Sequence, residues 1–127
     1  MTRSVSVPLL LACSLLTALC TGCSRDPNIR KQKYLDSGEK YAAEGKYREA
    51  VIQFRNAILI DSRFAHAHYD LSQAYLKLGD SNDAFQELTR SVELAPDNYR
   101  AHTDLANLLD TVRTVSYTHL DVYKRQM

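Results

Sequence analysis

Between about Lys31 and Arg113, apolar side chains return every three or four positions. Ala50, Phe54, Ala57 and Ile58 mark one helical face, and Leu71, Ala74, Tyr75 and Leu78 mark another. Gly45 and Gly79 come directly after such faces, where a residue with positive φ ends a helix. Asp61 or Ser62, and Asp97, are placed to cap the helices that follow. The pattern predicts helix, tight turn, helix, turn, with no alternation of period two to suggest a strand.

The pattern also repeats. A shift of 34 positions puts Tyr41 on Tyr75, Gly45 on Gly79, Ala50 on Ala84, Phe54 on Leu88 and Ser62 on Pro96. It also puts Ala67–Leu71 ("AHYDL") on Ala101–Leu105 ("AHTDL"). A fixed period of this length means stacked supersecondary units whose faces are buried by their neighbours. Alanines at the crossing points let backbones approach, and large residues fill the space beside them.

The spacing resembles the tetratricopeptide (TPR) repeat. The first repeat shows Tyr34, Gly38, Tyr41, Gly45, Ala50, Phe54 and Ala57, and the second His68, Leu71, Tyr75, Gly79, Ala84, Leu88 and Pro96. A third begins with His102, Leu105, Ala106 and Leu109. Ser37, Ser62 and Ser91 depart from the family's Leu, Pro and Ala. The resemblance implies an all-α helix-turn-helix solenoid of about two and a half repeats, five helices in all. Repeat one would cover residues 31–64, repeat two 65–98, and the first helix of repeat three 99–113. Leu105, Leu108 and Leu109 are then expected to lack a partner helix.

The first residues follow another rule. Arg3 precedes an apolar run from Val5 to Leu19, too short to span a bilayer and of the length of a signal-peptide core. It ends in "LCTGCS", which resembles the lipobox of bacterial lipoproteins, with Cys20 where that family has Leu. The resemblance implies a signal peptide over 1–22, lipidation of Cys23, and a short linker over 23–30. Localisation would be the cell envelope, on the outer membrane facing the periplasm in a host with two membranes. Cys13, Cys20 and Cys23 are the three cysteines of the chain, so the repeats fold without disulfides.

The other end departs as well. A third repeat calls for a small-Gly turn after Arg113, but the chain reads "TVSYTHLDVYKRQM" and holds Thr118 where Ala is expected. Val115–Gln126 resembles the translation of a transposase mosaic-end sequencing adapter joined to its own reverse complement. That resemblance implies a truncated array and a non-native tail over 114–127.

Charge and chemistry narrow the function. Lys plus Arg number 16 and Asp plus Glu 15, which gives no footing for nucleic acid. No phosphate loop, HExxH motif or paired nucleophile and base stands in the chain, so no enzyme, cofactor or small-molecule substrate is expected. His66 and His68 point about 200° apart on a helix and cannot share an ion. His68 and His102 hold packing positions, so no metal site is expected.

The resemblance instead implies a concave groove lined by the first helix of each repeat. The family's groove positions fall on Gln32, Leu35, Asp36 and Glu39. In the second repeat they fall on His66, Tyr69, Asp70, Gln73 and Lys77, and in the third on Arg100, Thr103, Asp104 and Asn107. Asp36, Asp70 and Asp104 recur at the interval of 34, an acidic ladder that with Tyr69 would favour a basic or amide-rich extended peptide. Leu35, Glu39 and Asp70 are unsuited to clamping a C-terminal carboxylate, which disfavours chaperone tails.

The expected function is a lipid-anchored protein-interaction scaffold serving secretion, envelope assembly or exopolysaccharide export. The alternatives are the docking module of a longer protein whose effector domain lies beyond Arg113, and self-association through the third repeat's apolar face.

Overall fold

The computed structural model describes residues 26–124. The signal peptide, Cys13, Cys20 and Cys23 lie outside them. Five helices follow one another: α1 (Pro27–Ala43), α2 (Tyr47–Ile60), α3 (Ala65–Leu78), α4 (Ser81–Leu94) and α5 (Tyr99–Lys124). Each packs on the next, and α1 also touches α3, so antiparallel hairpins stack into the expected solenoid.

The turns are set by local chemistry. Asp26 accepts a hydrogen bond from the Asn28 amide at 2.9 Å, and Pro27 opens α1 where its missing N–H costs nothing. Gly45 and Gly79 take φ of 75° and 84°. Each closes its helix with a pair of backbone bonds: Gly45 N–H to Ala42 O and Lys46 N–H to Tyr41 O, then Gly79 N–H to Leu76 O and Asp80 N–H to Tyr75 O. The capping expectation needs correction. Asp61 turns its carboxylate onto the Arg63 amide at 3.0 Å, inside the turn, and does not cap α3. At α5 it is Asn98 Oδ1, and not Asp97, that accepts from the Ala101 amide at 3.2 Å. A cap must sit one residue before the first helical turn, and α5 begins at Tyr99.

Small residues decide how closely the helices meet. Ala50, Ala57, Ala67, Ala84 and Ala101 have no exposed surface, and Phe54, Leu35, Leu71 and Leu88 fill the space between them. Gly38 lies in the middle of α1, where glycine normally weakens a helix. A Cβ there would run into the edge of the Phe54 ring, so the absent side chain is what admits the ring.

Two polar contacts fix the turn between α2 and α3. Lys31 of α1 reaches Asp61 in the α2–α3 turn at 2.5 Å while its ammonium stands 4.8 Å from the Phe64 ring centre. The Lys31 hydrogen bond and then the Arg63 amide hold the Asp61 carboxyl below its ordinary range. His68, buried as a packing position requires, bridges Glu87 through Nδ1 at 2.6 Å and the Ser62 carbonyl through Nε2 at 3.1 Å. Burial opposes its charge, but those two acceptors outweigh burial and raise the imidazole above its ordinary value. One repeat later, His102 Nε2 meets the Pro96 carbonyl at 3.0 Å in the same way, yet His102 is exposed.

The fifth helix does not stop at residue 113. It runs 26 residues to Lys124 without a turn, because the stretch contains neither glycine nor proline to end it. Of the three leucines expected to lack a partner, Leu108 is buried against the core cluster, Leu105 is half-buried and Leu109 is exposed.

Gly38 supplies a direct test. In an ordinary helix interior Gly→Ala gains about 1 kcal/mol. Here the introduced methyl overpacks the Phe54 ring, so Gly38→Ala should lower stability by about 1–3 kcal/mol in urea unfolding. Adding Phe54→Leu should remove that loss. A stabilised Gly38→Ala single variant would show that the ring yields freely.

Candidate peptide-binding groove

The first helices of the repeats, α1, α3 and α5, lie side by side and present the residues that the sequence assigns to a groove. Most are accessible there. Gln32, Asp36, Glu39, His66, Lys77, Arg100, Thr103 and Asn107 are exposed, and Tyr69, Asp70, Gln73 and Asp104 are half-buried.

Leu35 is the exception and a correction. It keeps only 1% of its surface and belongs to the core. It shares with Gly38 and Ala42 the face of α1 turned toward α2, three and seven residues along, so the helix period puts it inside.

The three recurring aspartates occupy three different environments. Asp36 accepts a hydrogen bond from Gln32, four residues earlier on the same helix, at 2.8 Å. Asp104 on α5 receives the Tyr69 hydroxyl at 2.8 Å and the Gln73 amide at 3.0 Å, both from α3. Burial first, and then the Asp104 carboxylate, push the Tyr69 phenol up to about 12. Tyr69 and Asp104 are therefore engaged with each other, and the expected ladder of equivalent free carboxylates does not form. Thr103 turns its hydroxyl back onto the Tyr99 carbonyl at 2.9 Å.

Asp70 is the unusual member. Its Oδ2 is closed off from solvent and accepts no hydrogen bond. Burial raises its carboxyl to about 6, with His66 opposing that rise and Glu39 adding to it. His66 Nε2 stands 3.5 Å from Asp70 Oδ2 and 3.9 Å from Glu39 Oε1. The sequence paired His66 with His68 and found them opposed. It placed Glu39 in the groove but gave no sign that it meets His66, 27 positions away on another helix. The readable signal was the i, i+4 spacing of His66 and Asp70.

Glu39 and Asp70 also line a pocket of about 320 Å³ between α1, α2 and α3. Ala42, Tyr47, Phe54 and Ala74 supply its apolar wall, while Gln73 and Lys77 complete the polar side.

Residues 38–79 match the family model described as TPR repeat, and residues 65–98 the model described as Tetratricopeptide repeat. DnaJ homolog subfamily C member 3 of Gallus gallus is 34% identical over 92 residues, 72% of this chain and 18% of that protein. The Rattus norvegicus protein of the same name is 33% identical over 82 residues, 65% of this chain and 16% of that protein. The chain thus spans less than a fifth of the curated relatives it matches. Among solved structures, the second TPR of Spaghetti (RPAP3) bound to HSP90 peptide SRMEEVD superposes with a TM-score of 0.64 at 20% identity. That match covers 74% of this chain and 87% of the other.

Removal of the hydroxyl that joins α3 to α5 tests the groove's rigidity. Tyr69→Phe should lower the stability of the described helices by about 1 kcal/mol, the usual net worth of such a bond. Asp104→Asn should change little further in the Tyr69→Phe background. Full additivity of the two in urea unfolding would show that the contact does not couple the helices.

Proposed function

We infer that this tetratricopeptide-repeat chain is a non-enzymatic scaffold that holds an extended, basic peptide in the groove of α1, α3 and α5. The observation that carries the reading is the recess with its apolar wall, lined by two carboxylates, Glu39 and Asp70, against one ammonium, Lys77. A lysine or arginine side chain lays its stem along Phe54 and Ala74 and brings its charge to those carboxylates. Asp36 extends the negative surface along α1. The peptide seen with the RPAP3 domain is acidic. The Glu39 and Asp70 carboxylates of this groove favour a basic ligand over an acidic one.

The chain is further inferred to act at a membrane surface of the bacterial envelope, in secretion, envelope assembly or polysaccharide export. Support comes from the lipobox-like "LCTGCS" and from the short connection between Cys23 and Pro27 at the start of α1. Four residue steps reach at most about 14 Å, so a lipid on Cys23 would keep the groove close to the bilayer. No helix among the described residues is long and apolar enough to cross a membrane. A second reading, a docking module within a longer protein, is favoured by the small share of each relative that the match occupies.

Two measurements test these readings. In fluorescence anisotropy at low salt, a labelled peptide alternating lysine and alanine should bind more tightly than its glutamate counterpart. Glu39→Lys should weaken the lysine peptide by about tenfold, as should high salt. Equal affinity for the two peptides would remove the charge argument. For the anchor, expression in a bacterium with labelled palmitate should label the chain, and Cys23→Ser should abolish the label. Undiminished labelling of that variant would exclude Cys23 as the attachment point.

A further inference from the structure

Glu39, His66 and Asp70 form a constellation that peptide binding does not require. Their donor atoms, one from each side chain, all lie within 4.8 Å of one another, and they come from two helices of different repeats. Two carboxylates stand close together here, and Asp70 Oδ2 is shut away from water without a hydrogen bond. A buried carboxylate oxygen in that condition is costly unless something positive meets it.

The spacing suits a small ion. Zinc takes nitrogen and carboxylate donors at about 2.0–2.2 Å, so adjacent donors of a tetrahedral site stand about 3.4 Å apart. His66 Nε2 lies 3.5 Å from Asp70 Oδ2 and 3.9 Å from Glu39 Oε1. Asp70 is half-buried on α3, and the exposed Glu39 and His66 side chains are the ones free to turn inward and bring three donors now within 4.8 Å of one another to coordination distance. The Phe64 ring meets the His66 ring edge to face, with centres 6.5 Å apart, and steadies the imidazole. Phe64 itself lies against the Lys31 ammonium.

We propose that Glu39, His66 and Asp70 bind a divalent transition-metal ion of the zinc class between the first and second repeats. One imidazole with two carboxylates suits zinc, cobalt or nickel better than magnesium or calcium, which favour all-oxygen shells. Three protein donors leave coordination positions open to water or to a peptide donor. The ion neutralises the carboxylates at the recess, so bound metal and a cationic peptide side chain compete for the same groups.

The test uses the full chain in detergent with Cys13, Cys20 and Cys23 replaced by serine, so that thiolates cannot take the metal. Calorimetric titration with zinc chloride, in the absence of peptide, should show one saturable equivalent. His66→Gln and Asp70→Asn should each weaken it by at least about tenfold, and Glu39→Gln should weaken it too. Circular dichroism should remain unchanged in His66→Gln and Glu39→Gln, since both residues are exposed. His102→Gln, an exposed histidine one repeat away, should leave binding as it was. Absence of saturable zinc binding overturns the proposal, as does binding that survives both His66→Gln and Asp70→Asn. Either result leaves the peptide reading intact, because no peptide enters the measurement.

Discussion

The ring of Phe54 lying against the bare backbone of Gly38 sets the distance between the first two helices, and the rest of the array builds on that contact. Close-packed interiors leave no slack, so the separation of one helix pair fixes where the next can sit. Alanines with no exposed surface maintain the approach through α2, α3, α4 and α5. Because each helix meets the next closely, α1, α3 and α5 come to lie along one side and form a groove. The groove is a consequence of small residues placed elsewhere.

Polar contacts then fix the register of the repeats. Lys31 holds the α2–α3 turn through Asp61, and His68 holds α3 against both α4 and the preceding turn through Glu87 and Ser62. The same histidine-to-carbonyl contact recurs at His102 and Pro96 with no loss of geometry, although the ring there is exposed. The contact therefore belongs to the junction between successive repeats, and burial follows from what packs over it. On the groove side Tyr69 and Gln73 spend their donors on Asp104, which joins the second repeat to the third. Glu39 and Asp70 remain beside the recess, with Asp36 exposed farther along α1.

That pair of carboxylates makes two occupants compatible with one place. A cationic side chain entering the recess and a metal ion among Glu39, His66 and Asp70 answer the same need, a positive charge beside a buried carboxylate oxygen. The two proposed occupants would differ in reach, since the peptide would use the apolar wall of Phe54 and Ala74 and the ion would use His66. Resemblance to a peptide-bound TPR domain at 20% identity supports the fold and leaves the ligand to this chain's own side chains.

The linear sequence determined the helices, their order and their turns, because those depend on interactions within four or five residues: a period of 3.6, glycine after the last turn, alanine at each crossing. The interval of 34 carried that information from one repeat to the next, and it correctly marked His68 as a packing residue. It failed where equivalence of position was taken for equivalence of environment. Asp36, Asp70 and Asp104 are one residue type at one repeat position, yet their partners lie on different helices and set them apart. Leu35 sits at a groove position by analogy and in the core by packing. The meeting of Glu39 with His66 and Asp70 was decided only by tertiary structure, for it spans 27 and 31 positions of chain and arises when two helices stack. Distances across helices depend on how closely backbones approach, and no local pattern records that.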